Sequence, residues 1–322
     1  MKTIGLVGLG FMGKTHLEAY QKIDNCRVKT IYSRNPSKDH VSDYHDLLQD
    51  SEIDIIDICL PTYLHEEYII KAANAGKHII CEKPLTLTLQ SAQRIIDAVK
   101  KNNVQLFVGH VLRFWPEYQV INSYSKTDKL KDIESVHATR LGQEPKWSTW
   151  FQYPEQSGGA LFDLHIHDID FVTYLLGEVE SVYAAGHKNK YGAWNHVVTT
   201  LIFRNGSHAV VEASQRMPTG YPFTMSLRAQ TAQSALDFKI VAGENIENIN
   251  DSQNQFIYYS NHETSQIIVN QGDAFHNELS YFVNCLETNQ ENTVIPLDDV
   301  LYTLTLLTAI ETSLETGREV QL

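Results

Sequence analysis

The feature that most constrains the fold of this 322-residue chain is a glycine pattern near its N-terminus. Gly8-Leu9-Gly10-Phe11-Met12-Gly13 is a GxGxxG turn, with the apolar run TIGLV directly before it and the helix-like segment MGKTHLEAYQKI overlapping its end. The first glycine permits a tight turn, the second lets the backbone approach a pyrophosphate, and the third lets helix and strand pack closely. This context predicts a βαβ unit that binds a dinucleotide, in preference to a glycine-rich turn without a ligand.

The pattern of the chain changes after its first third. Up to about residue 122, apolar runs such as IDIIDICLP and KHIICE alternate with helical stretches, which predicts a parallel, doubly wound sheet covered by helices on both faces. Beyond this point, strand candidates such as VVTTLIFRNG and SHAVVEASQ follow in series, with one helical block over 163–176 and two amphipathic helices at the end. We therefore predict a dinucleotide-binding domain over 1–122 and an α+β domain with an antiparallel or mixed sheet over 123–322.

The composition argues against several classes of protein. There are 39 acidic and 26 basic residues, a formal net charge of −13, whereas a nucleic-acid binder usually carries a basic stripe. The four cysteines are widely spaced and include no CxxC pair, which is not the pattern of a disulfide framework. A charged leader and an apolar run of about 18 residues are both missing. We expect a cytoplasmic protein that binds neither nucleic acid nor membrane.

The end of the predicted second strand bears on the choice of cofactor. A site that prefers NAD usually offers Asp or Glu to the ribose hydroxyls about 20 residues after the glycine turn. Here Ser33 takes that position and Arg34 follows it. A hydroxyl and a guanidinium suit a 2′-phosphate better than a carboxylate would, which favours NADP over NAD. The alternative is that Arg34 is a solvated loop charge that stacks on adenine.

A lysine ends another predicted strand, within Cys81-Glu82-Lys83-Pro84. Ligands of open α/β sheets collect at the carboxyl ends of the strands. Lys83 is therefore either a surface charge or a group that transfers a proton, since burial and a nearby cationic nicotinamide would both favour its neutral form.

A glycine turn, Gly158-Gly159, leads into the helix-like segment ALFDLHIHDID. Asp163 and His167 are four residues apart, so on an α-helix they share a face and the carboxylate can orient the imidazole. The plainer alternative makes Asp163 a helix cap and His167 a hydrogen-bonded core residue. His165 and His167 project about 200° apart on a helix, so both cannot bind one ion, and we predict no metal site.

Several segments together resemble the Gfo/Idh/MocA family, named after glucose–fructose oxidoreductase, inositol dehydrogenase and MocA. They are GLGFMG, CLPTYLH, AGKHIICEKPLTLT, GGALFDLHIHDID and the closing HNELSYFVNCLE and DDVLYTLTLLTAIETSLETG helices, and the match runs through almost the whole chain. The resemblance implies a nicotinamide-dependent oxidoreductase acting on sugars, cyclitols or their derivatives. It further implies a Rossmann domain and a C-terminal domain with a large, open, mostly antiparallel sheet, through which family members form homodimers or homotetramers. The C-terminal helices are expected to pack back near the first domain.

The resemblance also assigns roles to residues. The catalytic lysine of the family corresponds to Lys83, and its Asp and His correspond to Asp163 and His167. The implied cofactor contacts are Gly8, Gly10, Phe11, Met12, Gly13, Ser33, Arg34, Leu60, Pro61, Thr62, His65, Glu82 and Lys83. One position differs from the family, because Tyr63 replaces the usual amide ahead of His65.

This reading implies a mechanism in which His167, aided by Asp163, removes the proton of a substrate hydroxyl while Lys83 polarises the oxygen. Which of Lys83 and His167 is the formal base stays open. Aromatic rings stack on the apolar faces of sugars, and basic groups favour acidic substrates; the alternative for the aromatic residues is core packing. The substrate candidates are His110, Arg113, Trp115, Arg140, Trp147, Trp150 and Tyr153.

Two other functions compete with this one. A non-catalytic nucleotide-binding sensor or co-regulator could use the same fold, because fold does not imply activity. Retention of Lys83, Asp163 and His167 together argues against it. A metal hydrolase using the histidine cluster would lose activity with a chelator and would not need nicotinamide.

Overall fold

The computed structural model describes residues 1–33, 40–145, 148–243, 253–261, 263–269 and 272–322. It divides into two compact units, Met1–Trp115 with Gly272–Leu304, and Pro116–Gln271 with Thr305–Leu322. The first division falls before the helix that begins at Pro116, whereas the sequence placed it after residue 122. The reason is packing: Tyr118 of this helix is fully buried and meets the rings of Phe171 and Phe238, both in the second unit, edge-on.

The first unit contains a six-stranded parallel sheet. Its strands are β1 (Lys2–Val7), β2 (Cys26–Tyr32), β3 (His40–Val41), β4 (Ile55–Ile58), β5 (His78–Glu82) and β6 (Leu106–Gly109). Its helices are α1 (Phe11–Tyr20), α2 (Tyr44–Gln49), α3 (His65–Asn74) and α4 (Leu89–Lys101), with 3₁₀ turns at Thr62–Leu64 and Val111–Phe114. The strand order is β3-β2-β1-β4-β5-β6, so the direction of winding reverses between β1 and β4. Ligands of such sheets bind at the carboxyl ends of the strands beside this reversal.

The second unit contains a nine-stranded mixed sheet. Its strands are β7 (Ser135–Leu141), β8 (Val179–Lys188), β9 (Trp194–Phe203), β10 (His208–Ser214), β11 (Thr224–Gln230), β12 (Ser234–Val241), β13 (Gln253–Ser260), β14 (Thr264–Gln266) and β15 (Val320–Gln321). The order is β14-β13-β12-β11-β7-β10-β9-β8-β15, and only β7 and β10 pair in parallel among these described strands.

Helices cover one face of this sheet. They are α5 (Pro116–Ser125), α6 (Pro154–Ser157) and α7 (Ile166–Leu176), with a 3₁₀ turn at Trp150–Gln152 and a π-helical turn at Leu161–His165. The sequence of β9 shows that one face of the sheet is buried and the other is more exposed, because every second residue from Asn195 to Phe203 is buried and those between are more exposed. The predicted fold class, a parallel doubly wound sheet followed by a mostly antiparallel one, is confirmed.

The chain returns to the first unit near its end. Helix α8 (Ala274–Thr288) packs against α1, and the carboxylate of Asp273 caps it by accepting from the N–H groups of Phe275 and His276. Helix α9 (Leu297–Thr316) spans the division between the units. Within the described ranges, no helix is long and apolar enough to cross a membrane.

Candidate active site

The glycine turn joins β1 to α1 in the way its spacing predicts. Gly8 has φ +96°, and a Cβ there would lie 2.5 Å from the carbonyl oxygen of Cys59. A Cβ on Gly13 would lie 2.1 Å from the carbonyl oxygen of Gly8, because α1 and the turn are in direct contact. Both positions therefore accept only glycine without a shift of the backbone.

The turn fits a dinucleotide pyrophosphate. Gly10 precedes α1 and gives it no side-chain cap, and the first turn of α1 has no acidic residue. No described atom lies within 4 Å of the place that a Cβ on Gly10 would occupy. Phe11, Met12 and Gly13 thus present backbone N–H groups beside open space at a helix N-terminus, which is the arrangement that binds phosphate.

The ribose position follows β2. Ser33 is half-buried, and its backbone N–H donates to the carbonyl oxygen of Val41 at 3.3 Å. Arg34 lies outside the described residues. A cluster of three tyrosine rings, Tyr32, Tyr44 and Tyr68, packs at this end of the sheet with centroids 4.6 to 6.1 Å apart.

The segment after β4 lies at the carboxyl ends of the strands, as the glycine turn does. Leu60 and Pro61 lead into the 3₁₀ turn that contains the buried Thr62. His65 is 1% exposed, and its ring nitrogens lie 2.8 Å from the carbonyl oxygen of Leu60 and 2.9 Å from that of Pro84. Burial lowers the pKa of His65, although the carbonyl contacts oppose this. His65 thus ties two strand-end loops together.

Lys83 follows β5 at the same edge of the sheet as the glycine turn, and its peptide bond to Pro84 is cis. Its backbone N–H donates to Oε2 of Glu82 at 3.1 Å. Glu82 is 6% exposed. Burial would raise the pKa of this carboxyl, yet the imidazole of His16 and the neighbouring Lys83 lower it, so Glu82 is ionised.

Three substrate candidates after β6 are buried in the first unit. The Arg113 guanidinium donates to Oδ2 of Asp299 at 2.6 Å and to the carbonyl oxygen of Val294 at 2.8 Å. The Arg113 side chain is 1% exposed and that of Asp299 is 41% exposed, so a buried guanidinium is paired with a carboxylate that reaches the surface. His110 is 2% exposed and Trp115 is 9% exposed.

In the second unit, two left-handed glycines shape the entry to the Asp–His segment. Gly158 and Gly159 have φ +71° and +67°. A Cβ on Gly158 would meet the ring of Phe162 at 2.4 Å, and one on Gly159 would meet the carbonyl oxygen of Trp194 at 2.6 Å. The chain then makes the π-helical turn, which changes the angular spacing between Asp163 and His167 from that of the α-helix assumed from the sequence.

Asp163 and His167 are both half-buried, whereas their neighbours Phe162, His165 and Asp168 are buried. The side-chain amide of Gln215, which follows β10, donates to Oδ2 of Asp163 at 2.7 Å. Gln215 is a site residue that the sequence did not reveal, because it lies 52 positions away and no motif marks it. It fixes the orientation of the Asp163 carboxylate.

His165 belongs to the core. Its Nε2 lies 2.8 Å from the hydroxyl of Thr199, and its side chain is fully buried. Burial, with a smaller contribution from His196, lowers the pKa of His165 to about 3, so its ring is neutral at pH 7. His165 and His167 therefore have different environments, as expected for residues two positions apart on a helix.

Arg140 is a core residue as well. Its guanidinium makes two parallel hydrogen bonds with Asp168, Nε to Oδ2 at 2.8 Å and Nη2 to Oδ1 at 3.1 Å. The two side chains are 3% and 0% exposed. Arg140 is thus paired with Asp168 inside the unit, and its role towards a substrate stays a prediction.

Half-exposed aromatic rings of the second unit stay as candidates. Trp150 stacks on Phe151 at a centroid distance of 4.0 Å, and Tyr153 meets Tyr191 at 4.8 Å. Neither ring is part of the buried core. Trp147 lies outside the described residues.

The described residues include one group whose spacing is compatible with a metal ion, formed by His16, Asp57 and Cys59. Its ligand atoms lie within 4.8 Å of one another. However, Nδ1 of His16 and Oδ2 of Asp57 are 2.8 Å apart, which is hydrogen-bond distance. Two ligands bound to one tetrahedral zinc would be separated by about 3.4 Å, so the group is a hydrogen-bonded cluster.

A parallel sheet with a glycine turn suited to a pyrophosphate, followed in the chain by a unit built on a mostly antiparallel sheet, is the architecture of a two-domain dinucleotide-binding protein. Comparison with known families identifies it further. Residues 2–110 match the oxidoreductase family with an NAD-binding Rossmann fold, and residues 90–233 match the GFO/IDH/MocA C-terminal domain. The chain belongs to the GFO/IDH/MocA oxidoreductase family, and the resemblance seen in the sequence is confirmed.

Individual relatives agree with this assignment. The chain is 30% identical over 308 residues to the uncharacterized oxidoreductase YrbE of Bacillus subtilis, covering 89% of this chain and 87% of the relative. It is 31% identical over 236 residues to myo-inositol 2-dehydrogenase of Thermotoga maritima, covering 68% and 70%. A solved structure of levoglucosan dehydrogenase in complex with NADH and levoglucosan is 25% identical, with a TM-score of 0.82 over 99% of this chain and 98% of that one.

Proposed function

We propose that this protein is an NAD(P)-dependent dehydrogenase or reductase that transfers a hydride between nicotinamide and a secondary alcohol or ketone of a sugar, a cyclitol or a derivative. The observation that carries the proposal is the position of Lys83, at the same carboxyl edge of one parallel sheet as the phosphate-binding turn. The inositol and levoglucosan dehydrogenases among the relatives support the substrate class.

The protein's own task in this reaction is to position groups and to move a proton. Nicotinamide supplies the hydride chemistry when it is bound. The Lys83 ammonium polarises the substrate oxygen and stabilises the negative charge that develops on it. His167 accepts the hydroxyl proton in oxidation and returns it in reduction, and Asp163, held by Gln215, orients the imidazole.

Several groups would hold the dinucleotide. The N–H groups at the start of α1 would bind the pyrophosphate, and Ser33 with Arg34 would bind a 2′-phosphate on the ribose. We therefore propose a preference for NADP over NAD. Leu60, Pro61 and Thr62 would line the dinucleotide beside them, with His65 holding their loop. Trp150 and Tyr153 would stack on the substrate ring, together with Trp147.

We also propose that the chain forms a homodimer or homotetramer through the sheet of the second unit. Large apolar side chains lie exposed on three of its strands, namely Tyr183 on β8, Ile202 on β9 and Tyr259 on β13, each 38% to 48% exposed. A second copy of the same sheet would cover them. Light scattering should give two or four times the chain mass, and a monomer at micromolar concentration would contradict this.

A cytoplasmic location is proposed on the state of the cysteines. All four, Cys26, Cys59, Cys81 and Cys285, are free thiols in the structure. Free thiols persist in a reducing compartment. Fractionation of the source cells should recover the protein with cytoplasmic markers, and recovery with a secreted fraction would overturn this assignment.

The experiment that tests the function is a nicotinamide absorbance assay on a panel of sugars, inositols, sugar acids and their keto forms. It is run with NAD and NADP in both directions. We expect turnover with at least one polyol or its ketone, and faster turnover with the phosphorylated cofactor. Tight cofactor binding without turnover across the panel would instead favour a non-catalytic sensor on the same fold.

A further inference from the structure

A buried cluster of ionisable groups lies beneath the strand ends of the first unit. His16, on the second turn of α1, is 1% exposed. Its Nδ1 lies 2.8 Å from Oδ2 of Asp57 on β4, and its Nε2 lies 3.0 Å from Oε1 of Glu82 at the end of β5. One imidazole thus links the phosphate-binding helix to the ends of two neighbouring strands.

The carboxylate of Glu82 is divided between two partners. Oε1 contacts the ring of His16, whereas Oε2 accepts the backbone N–H of Lys83. Because both oxygens belong to one planar carboxylate, the contact of Oε1 with His16 restricts the positions that Oε2 can take. The hydrogen bond at Nε2 of His16 therefore helps to hold the oxygen that accepts the Lys83 N–H.

The contacts also bear on the proton count. Both ring nitrogens face carboxylate oxygens, and Nδ1 also lies 3.4 Å from Sγ of Cys59. Ionised carboxylates only accept hydrogen bonds, so both carboxylate contacts are hydrogen bonds at once only when each ring nitrogen carries a proton, as in an imidazolium. Burial alone would lower the pKa of His16, but the Asp57 carboxylate beside the ring raises it well above its ordinary value.

The other groups around His16 are neutral or add negative charge. Burial raises the pKa of the Cys59 thiol to about 12, and burial raises the pKa of the Tyr20 hydroxyl as well. The ring of Phe275 on α8 lies 6.1 Å from the imidazole. Glu278 on α8 and Glu82 each have an oxygen 3.5 Å from the place of a Cβ on Gly109, so one further buried carboxyl group lies in this region.

We propose that His16 is a positioning residue: held as a buried cation between Asp57 and Glu82, it fixes Glu82, and through Glu82 it fixes Lys83 for catalysis. The role of His16 in catalysis rests on the proposed function. The charge state of His16 and the anchoring of the Lys83 backbone are independent of that function.

The first test needs no turnover. NMR of protein with ¹⁵N-labelled histidine should show protons on both ring nitrogens of His16 from pH 6 to pH 9, assigned by loss of the signal in His16→Gln. Amide hydrogen exchange at Lys83 should be at least about tenfold faster in His16→Gln and in Glu82→Gln. His45→Gln, at an exposed histidine on α2 of the same unit, is the matched control and should change neither.

The second test is kinetic. Misplacement of a reacting group by about 1 Å costs about 100-fold in rate, so His16→Gln should lower kcat by about 10- to 100-fold per cofactor-binding site while KM and cofactor affinity change less than about threefold. If His16 acts through Glu82, the double variant of His16→Gln with Glu82→Gln should lose little more kcat than Glu82→Gln alone.

The outcomes separate the two proposals. A neutral His16 at pH 7, or unchanged Lys83 exchange in His16→Gln, overturns the positioning role whatever the enzyme catalyses. A lower melting temperature with unchanged kcat per cofactor-binding site also overturns it, because His16 would then only support the fold. Absence of turnover in the wild type, with the NMR and exchange results as expected, would refute the proposed function and leave the anchoring of Lys83 established.

Discussion

Breaking the buried Arg140–Asp168 pair should destabilise the second unit strongly. In Asp168→Asn the Arg140 charge stays 3% exposed and loses its counter-ion. An uncompensated buried charge costs about 3–5 kcal/mol. A domain of this size shifts its melting temperature by about 2–4 °C per kcal/mol, so the expected decrease is roughly 6–20 °C.

The same geometry predicts that removing both charges costs little. Burial opposes the charge on both side chains: it raises the pKa of Asp168 although Arg140 faces it, whereas Asp168 raises the pKa of Arg140 against the effect of burial. Replacement of a buried ion pair by apolar groups of similar volume is often neutral or stabilising. The double variant Arg140→Met with Asp168→Leu should therefore recover most of the loss.

The assay is urea unfolding of the full chain, followed by circular dichroism, with midpoint and slope compared among variants. Glu315→Gln is the control, because its partner Lys188 and Glu315 are 39% and 52% exposed in the same unit, and such pairs contribute at most about 1 kcal/mol. Two results would refute the reasoning. One is a free energy of unfolding for Asp168→Asn within about 1 kcal/mol of that of the control, which is the most that a surface pair contributes. The other is a double variant that is as unstable as Asp168→Asn alone.

Three further predictions concern the cofactor site and pH. Gly13→Ala should lower both stability and cofactor affinity, because its Cβ would meet the carbonyl oxygen of Gly8, whereas Gly10→Ala should lower cofactor affinity alone. Calorimetry measures the melting temperatures and cofactor fluorescence measures the affinities. Equal melting temperatures for the two variants would contradict the packing argument. Ser33→Asp should shift the ratio of kcat/KM from NADP towards NAD by at least about tenfold through repulsion of the 2′-phosphate, and an unchanged ratio would place the selection elsewhere. Burial lowers the pKa of His165 from its ordinary 6.5 to about 3, so between these values the unfolded chain binds a proton that the folded chain does not, and stability should fall as the pH drops. The free energy of unfolding, measured from pH 7 to pH 4, should therefore depend less on pH in His165→Gln than in the wild type. Equal slopes would refute the assignment.

The local signals in the sequence predicted the parts of the molecule that depend on neighbouring residues. The glycine turn is one such part, because Gly8 and Gly13 meet within a few residues of each other. Strand periodicity likewise predicted both sheets, because a continuous apolar run indicates a strand buried on both faces and an alternating pattern indicates a strand buried on one face. Lys83 was placed at a strand end for the same reason.

The rest depends on contacts that no local pattern records. The ion pair of Arg140 with Asp168 joins residues 28 positions apart, so it forms only when the unit packs. The π-helical turn before His167 changes a spacing that the sequence read as α-helical. The ring of His16 finds Asp57 and Glu82 at separations of 41 and 66 residues, so the cluster exists only in the folded unit.

The central claim is that Lys83 acts on the substrate, and Lys83→Met tests it most directly because it removes the ammonium and keeps most of the side-chain volume. Cofactor titration by fluorescence and turnover on the best substrate of the panel are measured on the same preparation. We expect cofactor binding to persist and kcat to fall by at least about 100-fold. Turnover within about tenfold of the wild type, a loss smaller than such groups cause, would contradict the account.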